Sequence, residues 1–243
     1  MKNTKHLLKL VTLSMLIALG VVISPILRVE GMCPMAHFIN IVCSVFLGPW
    51  YSLLCATLIG GIRMMLMGIP PIALTGAVFG AFLAGVFYRA SRGRIIFAGL
   101  GEIIGTGVIG AIMSYPVMTF LWGKEGLSWL FYVPSFICGT LIGGSIAYVF
   151  LRKFAANGML ARIQSMLGSE SYLDQTSILS NTLTIAAFGA ILFVVIEIGA
   201  DVFRLTGALW DRLSYISLAL CAAAAILYYI TKKGNVRHAA SNP

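Results

Sequence analysis

From residue 10 to residue 230 the chain is a succession of apolar runs, each about one membrane span long, separated by short hinges. Hydrophobic residues make up 59% of it and charged residues only 10%. A soluble chain of this length needs far more charge to keep its surface wet. Lipid is therefore the solvent for most of the protein, and an all-α integral membrane fold is expected.

A membrane-crossing helix takes roughly 20 mostly apolar residues. Residues 8–27, 71–88, 95–121, 127–151, 178–200 and 213–230 each supply one. Residues 36–67 are too long for a single span, and Gly48-Pro49-Trp50 interrupts them. Proline is disfavoured inside a helix and glycine loosens it, so a turn is predicted there. Basic clusters mark cytoplasmic ends. Lys2, Lys5 and Lys9 precede the first run, and Arg89, Arg92 and Arg94 follow the run at 71–88. An even number of spans must separate them, which requires two helices in 36–67. Arg152 and Lys153, then Lys232, Lys233 and Arg237, recur at later even intervals. Eight helices with both termini cytoplasmic are predicted, in the cell membrane. The net charge of +9 is spent on this orientation signal and on anionic lipid, and no nucleic-acid partner is expected. The basic start followed by an apolar run has the look of a signal peptide. Ser24-Pro25 stands where a small-residue cleavage site would be, so a retained first helix is expected.

Three segments differ in composition. Residues 1–155 are a dense six-helix unit with minimal loops. Residues 156–177 are polar, with Met159, Leu160, Ile163, Met166 and Leu167 at helical spacing, as in a helix lying on the inner membrane surface. Residues 178–243 add two spans and a basic tail. Small residues recur every four positions: Gly76, Gly80 and Ala84; Ala77, Ala81 and Gly85; Gly101 and Gly105; Gly139 and Gly143. Lipid gives no hydrophobic force between helices, so close backbone approach through such rows takes its place.

Ionisable residues inside a bilayer are costly and therefore informative. His37 and Asn40 lie one turn apart at the start of the second helix, and Arg63 near the outer end of the third. Glu102 and Thr106 share one face of the fifth. Tyr115, Trp122, Trp129 and Tyr132 fall at the same outer level. Each has a structural alternative: an interface belt for the aromatics, a snorkelling Arg63, a solvated cap for His37, a helix-linking hydrogen bond for Glu102. Convergence of imidazole, amide and guanidinium groups near one aqueous face instead predicts a pocket for a small polar heterocycle. His37, Asn40, Arg63, Glu102, Thr106, Tyr115 and Tyr132 are its candidate residues.

The chain carries no H-E-x-x-H, G-x-S-x-G or Walker loop, and one core carboxylate cannot make a catalytic pair. No enzymatic activity and no cofactor are expected. Cys33, Cys43, Cys55, Cys138 and Cys221 form no C-x-x-C pair, so neither a disulfide nor a metal site is expected.

Cys33-Pro34-Met35-Ala36-His37-Phe38-Ile39-Asn40, Leu47-Gly48-Pro49-Trp50-Tyr51 and Gly101-Glu102-Ile103-Ile104-Gly105-Thr106-Gly107 resemble the ThiW family, as do Tyr88-Arg89 and Val133-Pro134-Ser135-Phe136. The likeness covers about residues 8–153. ThiW proteins are S-components, the substrate-binding subunits of energy-coupling factor transporters, assigned to the hydroxyethylthiazole moiety of thiamine. The resemblance implies a six-helix substrate-capturing bundle, an import partner made of one transmembrane coupling protein and two ATPases, and docking through small residues of the first helix, here Ser14 and Ala18. It also implies a gating loop at 28–35. Two features differ from the family pattern. The third helix ends Arg63-Met64-Met65-Leu66-Met67-Gly68-Ile69-Pro70-Pro71 rather than in Arg-Asn and a Phe-Pro-Gly segment, and Ala36 stands where a Gln is common. The competing reading is a membrane scaffold on an S-component-like fold, with the two C-terminal helices as its partner surface.

Overall fold

The computed structural model describes residues 2–26, 28, 32–170, 172, 204 and 207–241, with scattered positions between 178 and 200. It is helical, with no strand among the described residues. The helices are α1 (Lys2–Ile23), α2 (Pro34–Leu47), α3 (Pro49–Met67), α4 (Ile72–Ala90), α5 (Ile95–Leu121), α6 (Val133–Ala156), α7 (Met159–Leu167) and α8 (Ala208–Ser241). Among the described residues six segments are long and apolar enough to cross a membrane: Asn3–Ile23, Pro49–Met67, Ile72–Ala90, Ile95–Leu121, Val133–Ala156 and Arg212–Lys233. The expected span at 178–200 lies largely outside the described residues.

The break between α2 and α3 falls at Gly48, whose φ of 92° suits glycine. A Cβ there would stand 2.3 Å from Arg89 Nη2. Pro49 opens α3 where a missing N–H costs nothing. With 14 residues, α2 is about 21 Å long, short of the roughly 30 Å hydrocarbon core. Its neighbours are α1, α3, α4, α5, α6 and α7, and twelve of its residues are buried. A helix sheltered on every side is apolar all round, apart from the groups that do chemistry.

The expected uninterrupted fifth helix is instead locally widened. Within α5 the backbone is π-helical over Ile103–Gly110 and again over Val117–Leu121. Pro116, inside the helix, has no N–H to give and precedes the second widening. The first contains Gly105, Gly107 and Gly110, where α5 meets α4 and α6. A Cβ at Gly105 would lie 2.5 Å from Gly80 Cα, and one at Gly110 2.7 Å from the Gly76 carbonyl oxygen. The small-residue rows are thus packing seams. Gly105→Ala is expected to cost about 1–3 kcal/mol through overpacking. Gly61→Ala and Gly99→Ala, at helical positions where nothing stands within 4 Å, are expected to raise stability by about 0.5–1 kcal/mol. Thermal unfolding in detergent compares the three.

Between Gly158 and Gly168, both in the left-handed region, α7 folds back onto the bundle. It buries Leu160, Gln164 and Leu167 while Met159 and Met166 stay exposed. The Gln164 side chain donates to the Val45 carbonyl at 2.9 Å and to the Tyr88 hydroxyl at 3.0 Å. Part of the row expected to face lipid is therefore spent on protein. Tyr172 closes the same end, edge-on to Tyr88 at 5.8 Å and bonded to Glu170. Burial, then the Glu170 carboxylate, pushes its hydroxyl up to about 12.

The contacts divide the chain into Met1–Asp174 and Gln175–Pro243. In the second unit the Ser214 hydroxyl donates to Glu197 at 2.6 Å, and the Asn181 amide to the Tyr228 hydroxyl at 2.8 Å.

Candidate functional site

Three helices each bring polar groups to the middle of the first unit. The start of α2 supplies His37 and Asn40, α5 supplies Glu102 and Thr106, and α3 supplies Arg63 near its end. Glu102 is fully buried, and one of its carboxylate oxygens, Oε1, is the meeting point. His37 Nδ1 lies 2.9 Å from it, Asn40 Nδ2 donates to it at 3.0 Å and Thr106 Oγ1 donates at 3.1 Å. With His37 Nδ1–H as the donor, Nε2 carries the free lone pair. Asn40 also reaches the Ala77 carbonyl at 3.4 Å. The second carboxylate oxygen, Oε2, is buried without a hydrogen-bond partner. It lies 2.8 Å from where a Cβ on Gly80 would be, and Thr106 Oγ1 only 1.9 Å from that point. The absence of a side chain at Gly80 leaves room for the cluster beside α4.

Beside the cluster is a cavity of about 530 Å³. His37, Arg63 and Thr106 line it, with Met118 and Phe136 among its apolar walls and Ile69 and Pro70 from the α3–α4 connection. Arg28, Met32 and Cys33, between α1 and α2, complete the mouth. Cys33 Sγ bonds the Ser24 carbonyl at 2.9 Å, and Ser24 bonds back to the Gly20 carbonyl, which ties this connection to the end of α1.

The seven sequence candidates separate into three groups. His37, Arg63 and Thr106 face the cavity. Asn40 and Glu102 stand behind its wall and hold the facing groups in place. Tyr115 and Tyr132 do not line it. Tyr115 packs on Trp129 with ring centroids 4.5 Å apart, and Tyr132 is buried between Phe131 and Phe136. The structural alternatives resolve in the same way. His37 is a buried, paired imidazole rather than a solvated cap, and Arg63, 3% exposed, does not snorkel to the surface. Glu102 does link helices. Apolar lining residues such as Phe136 and Met118 escaped the sequence reading, because only three-dimensional placement separates them from ordinary core. Gly80 carried a signal in its small-residue row. The docking candidates Ser14 and Ala18 are both on the exposed face of α1.

Asn40→Leu is expected to lower stability and ligand affinity by about 1–3 kcal/mol, or roughly 5- to 150-fold in a dissociation constant, since it deprives Glu102 of a buried donor. Unfolding and calorimetry on the purified variant measure both.

No metal-holding group of His, Cys, Asp and Glu occurs among the described residues. No curated protein and no solved structure matches the chain. The family model for ThiW, thiamine-precursor transporter protein, matches residues 10–157. That span covers more than half of the chain and contains the whole cluster and the cavity, so the protein belongs to the ThiW family of thiamine-precursor transporters.

Proposed function

We propose that the chain is the substrate-binding membrane subunit of an ATP-driven importer of the energy-coupling factor type, and that its cavity takes hydroxyethylthiazole or a related small heterocycle. The observation that carries this is the cavity itself. Its 530 Å³ falls within the roughly 300–1,000 Å³ of small-molecule sites, with apolar walls and a few convergent polar groups. Phe136, Met118 and Pro70 offer faces for a flat ring, while His37 Nε2 and Thr106 offer hydrogen bonds. His37, Arg63 and Thr106 touch the ligand in this reading, and Asn40 and Glu102 position them.

The mouth is formed by the connections after α1 and after α3. Arg89, Arg92 and Arg94 lie at the other end of α4. With basic clusters inside, the mouth opens outward and both termini are cytoplasmic in the cell membrane. The connection at 28–35, of which 29–31 lie outside the described residues, is the gate in this reading. Ser14 and Ala18 present small side chains to a coupling protein, which joins two ATPases. Residues 1–155 form the capture unit, 156–177 the connector and 178–243 an appendage. Membership of a transporter family disfavours the scaffold reading.

Uptake of labelled hydroxyethylthiazole by cells expressing the chain with a coupling module is the test. Saturable uptake that stops when the ATPases are inactivated is expected. Uptake indifferent to the ATPases overturns the coupling, and no thiazole uptake with an active module overturns the substrate.

A further inference from the structure

Arg63 presents a problem that the protein does not solve with its own groups. It is 97% withdrawn from solvent, at 3% exposure, and lines the cavity. Its Nε is buried with no hydrogen-bond partner, and among the described residues no carboxylate pairs with it. A buried lysine or histidine can escape such a cost by losing its proton, but a guanidinium does not. Glu102 stands behind the wall with Oε1 committed to His37, Asn40 and Thr106. Among the described residues the only other charged side chain lining the cavity is Arg28, a second cation at the mouth. Among the described residues the lining holds two guanidinium groups and no anion, and burying a charge is expensive until a negative partner arrives.

We propose that the preferred ligand is anionic: a small ring bearing a phosphate or carboxylate group that pairs with Arg63, with Arg28 as a second cation at the entrance. Planar guanidinium groups match both anions through two parallel hydrogen bonds. The apolar walls take the ring, and the cationic side takes the charged arm. This rests on the thiazole reading for the identity of the ring, whereas the anion is called for by the buried Arg63, with which no carboxylate pairs among the described residues.

The experiment is calorimetry on the purified full-length protein at fixed salt. The probes are hydroxyethylthiazole, its phosphate monoester, a thiazole carboxylate of similar size and inorganic phosphate, each titrated into the wild type, Arg63→Met and Arg63→Lys. At least one anionic thiazole is expected to bind about 10- to 100-fold more tightly than the neutral alcohol, the scale of a charged hydrogen-bonded pair. Arg63→Met should erase that preference and Arg63→Lys should keep part of it. Which anion is preferred distinguishes phosphate from carboxylate. Should Arg63→Met fail to fold, Arg63→Lys and the salt dependence of the wild-type preference read the same contact. A neutral alcohol that binds as tightly as both anions, or a preference that survives Arg63→Met, overturns the inference and leaves the thiazole reading standing. Arg63-dependent binding of inorganic phosphate with no binding of any thiazole supports the anion site and removes the thiazole. No binding of any probe overturns both.

Discussion

Glu102→Leu is expected to cost about 3–5 kcal/mol of stability and to abolish ligand binding, the largest effect of any single substitution in the bundle. The reason is the convergence on one oxygen. His37, Asn40 and Thr106 all direct polar hydrogens at Glu102 Oε1, and removing the carboxylate takes that acceptor from all three, leaving Asn40 only the Ala77 carbonyl at 3.4 Å. A leucine cannot supply one, and water has little room, because Gly80 is already in contact with the carboxylate end. Glu102→Gln separates shape from charge. It keeps the volume and one oxygen acceptor, so it should fold and bind more weakly than wild type. Thermal unfolding in detergent and ligand titration on both variants check this. A Glu102→Leu protein as stable as wild type would show that the cluster does not hold α2 and α5 together.

Ala18→Trp is expected to do the opposite: stop uptake while leaving stability and ligand binding as they were. Ser14 and Ala18 lie on the exposed face of α1, among exposed Leu10, Val11, Met15 and Leu19. The Ser14 hydroxyl is already satisfied by the Leu10 carbonyl at 2.9 Å, so this stripe makes no polar demand on what covers it. Small side chains there permit a partner helix to approach closely, and an indole would hold it away. Because the position points out of the bundle, a tryptophan meets no internal neighbour. The measurement is paired, uptake in cells and affinity of the purified variant. Normal transport by Ala18→Trp would remove α1 as the docking face.

How far the sequence reaches can be judged residue by residue. The division of 36–67 into two helices was legible because Gly48 and Pro49 combine a positive φ with a missing N–H, a local signal that tertiary packing does not override. The glycine rows told of close helix seams because only glycine tolerates a backbone at 2.5 Å from its Cβ position, as at Gly105. His37, Asn40, Glu102 and Thr106 were found because polar groups in lipid must find one another. Depth in the membrane, by contrast, says nothing about direction. Tyr115 and Tyr132 are expected from sequence at the outer level but pack on Trp129 and Phe136. Asn40 is on the same helix face as His37, yet its amide is spent behind the wall. The π-helical widening of α5 was invisible, since it depends on how α4 and α6 press on Gly105, Gly107 and Gly110 as well as on Pro116. Arg63 carried two opposite readings in sequence, surface or site, and only its burial separates them.

In the proposed function the cavity beside the Glu102 cluster binds a thiamine precursor. Calorimetric titration of the purified, folded protein with thiazole and pyrimidine precursors tests it most directly. Saturable binding of a thiazole at one site per chain is expected, weakened by about 5- to 150-fold in Asn40→Leu. A folded sample that binds none of these precursors, or that binds one with the same affinity when Asn40 is leucine and Glu102 is glutamine, would contradict it.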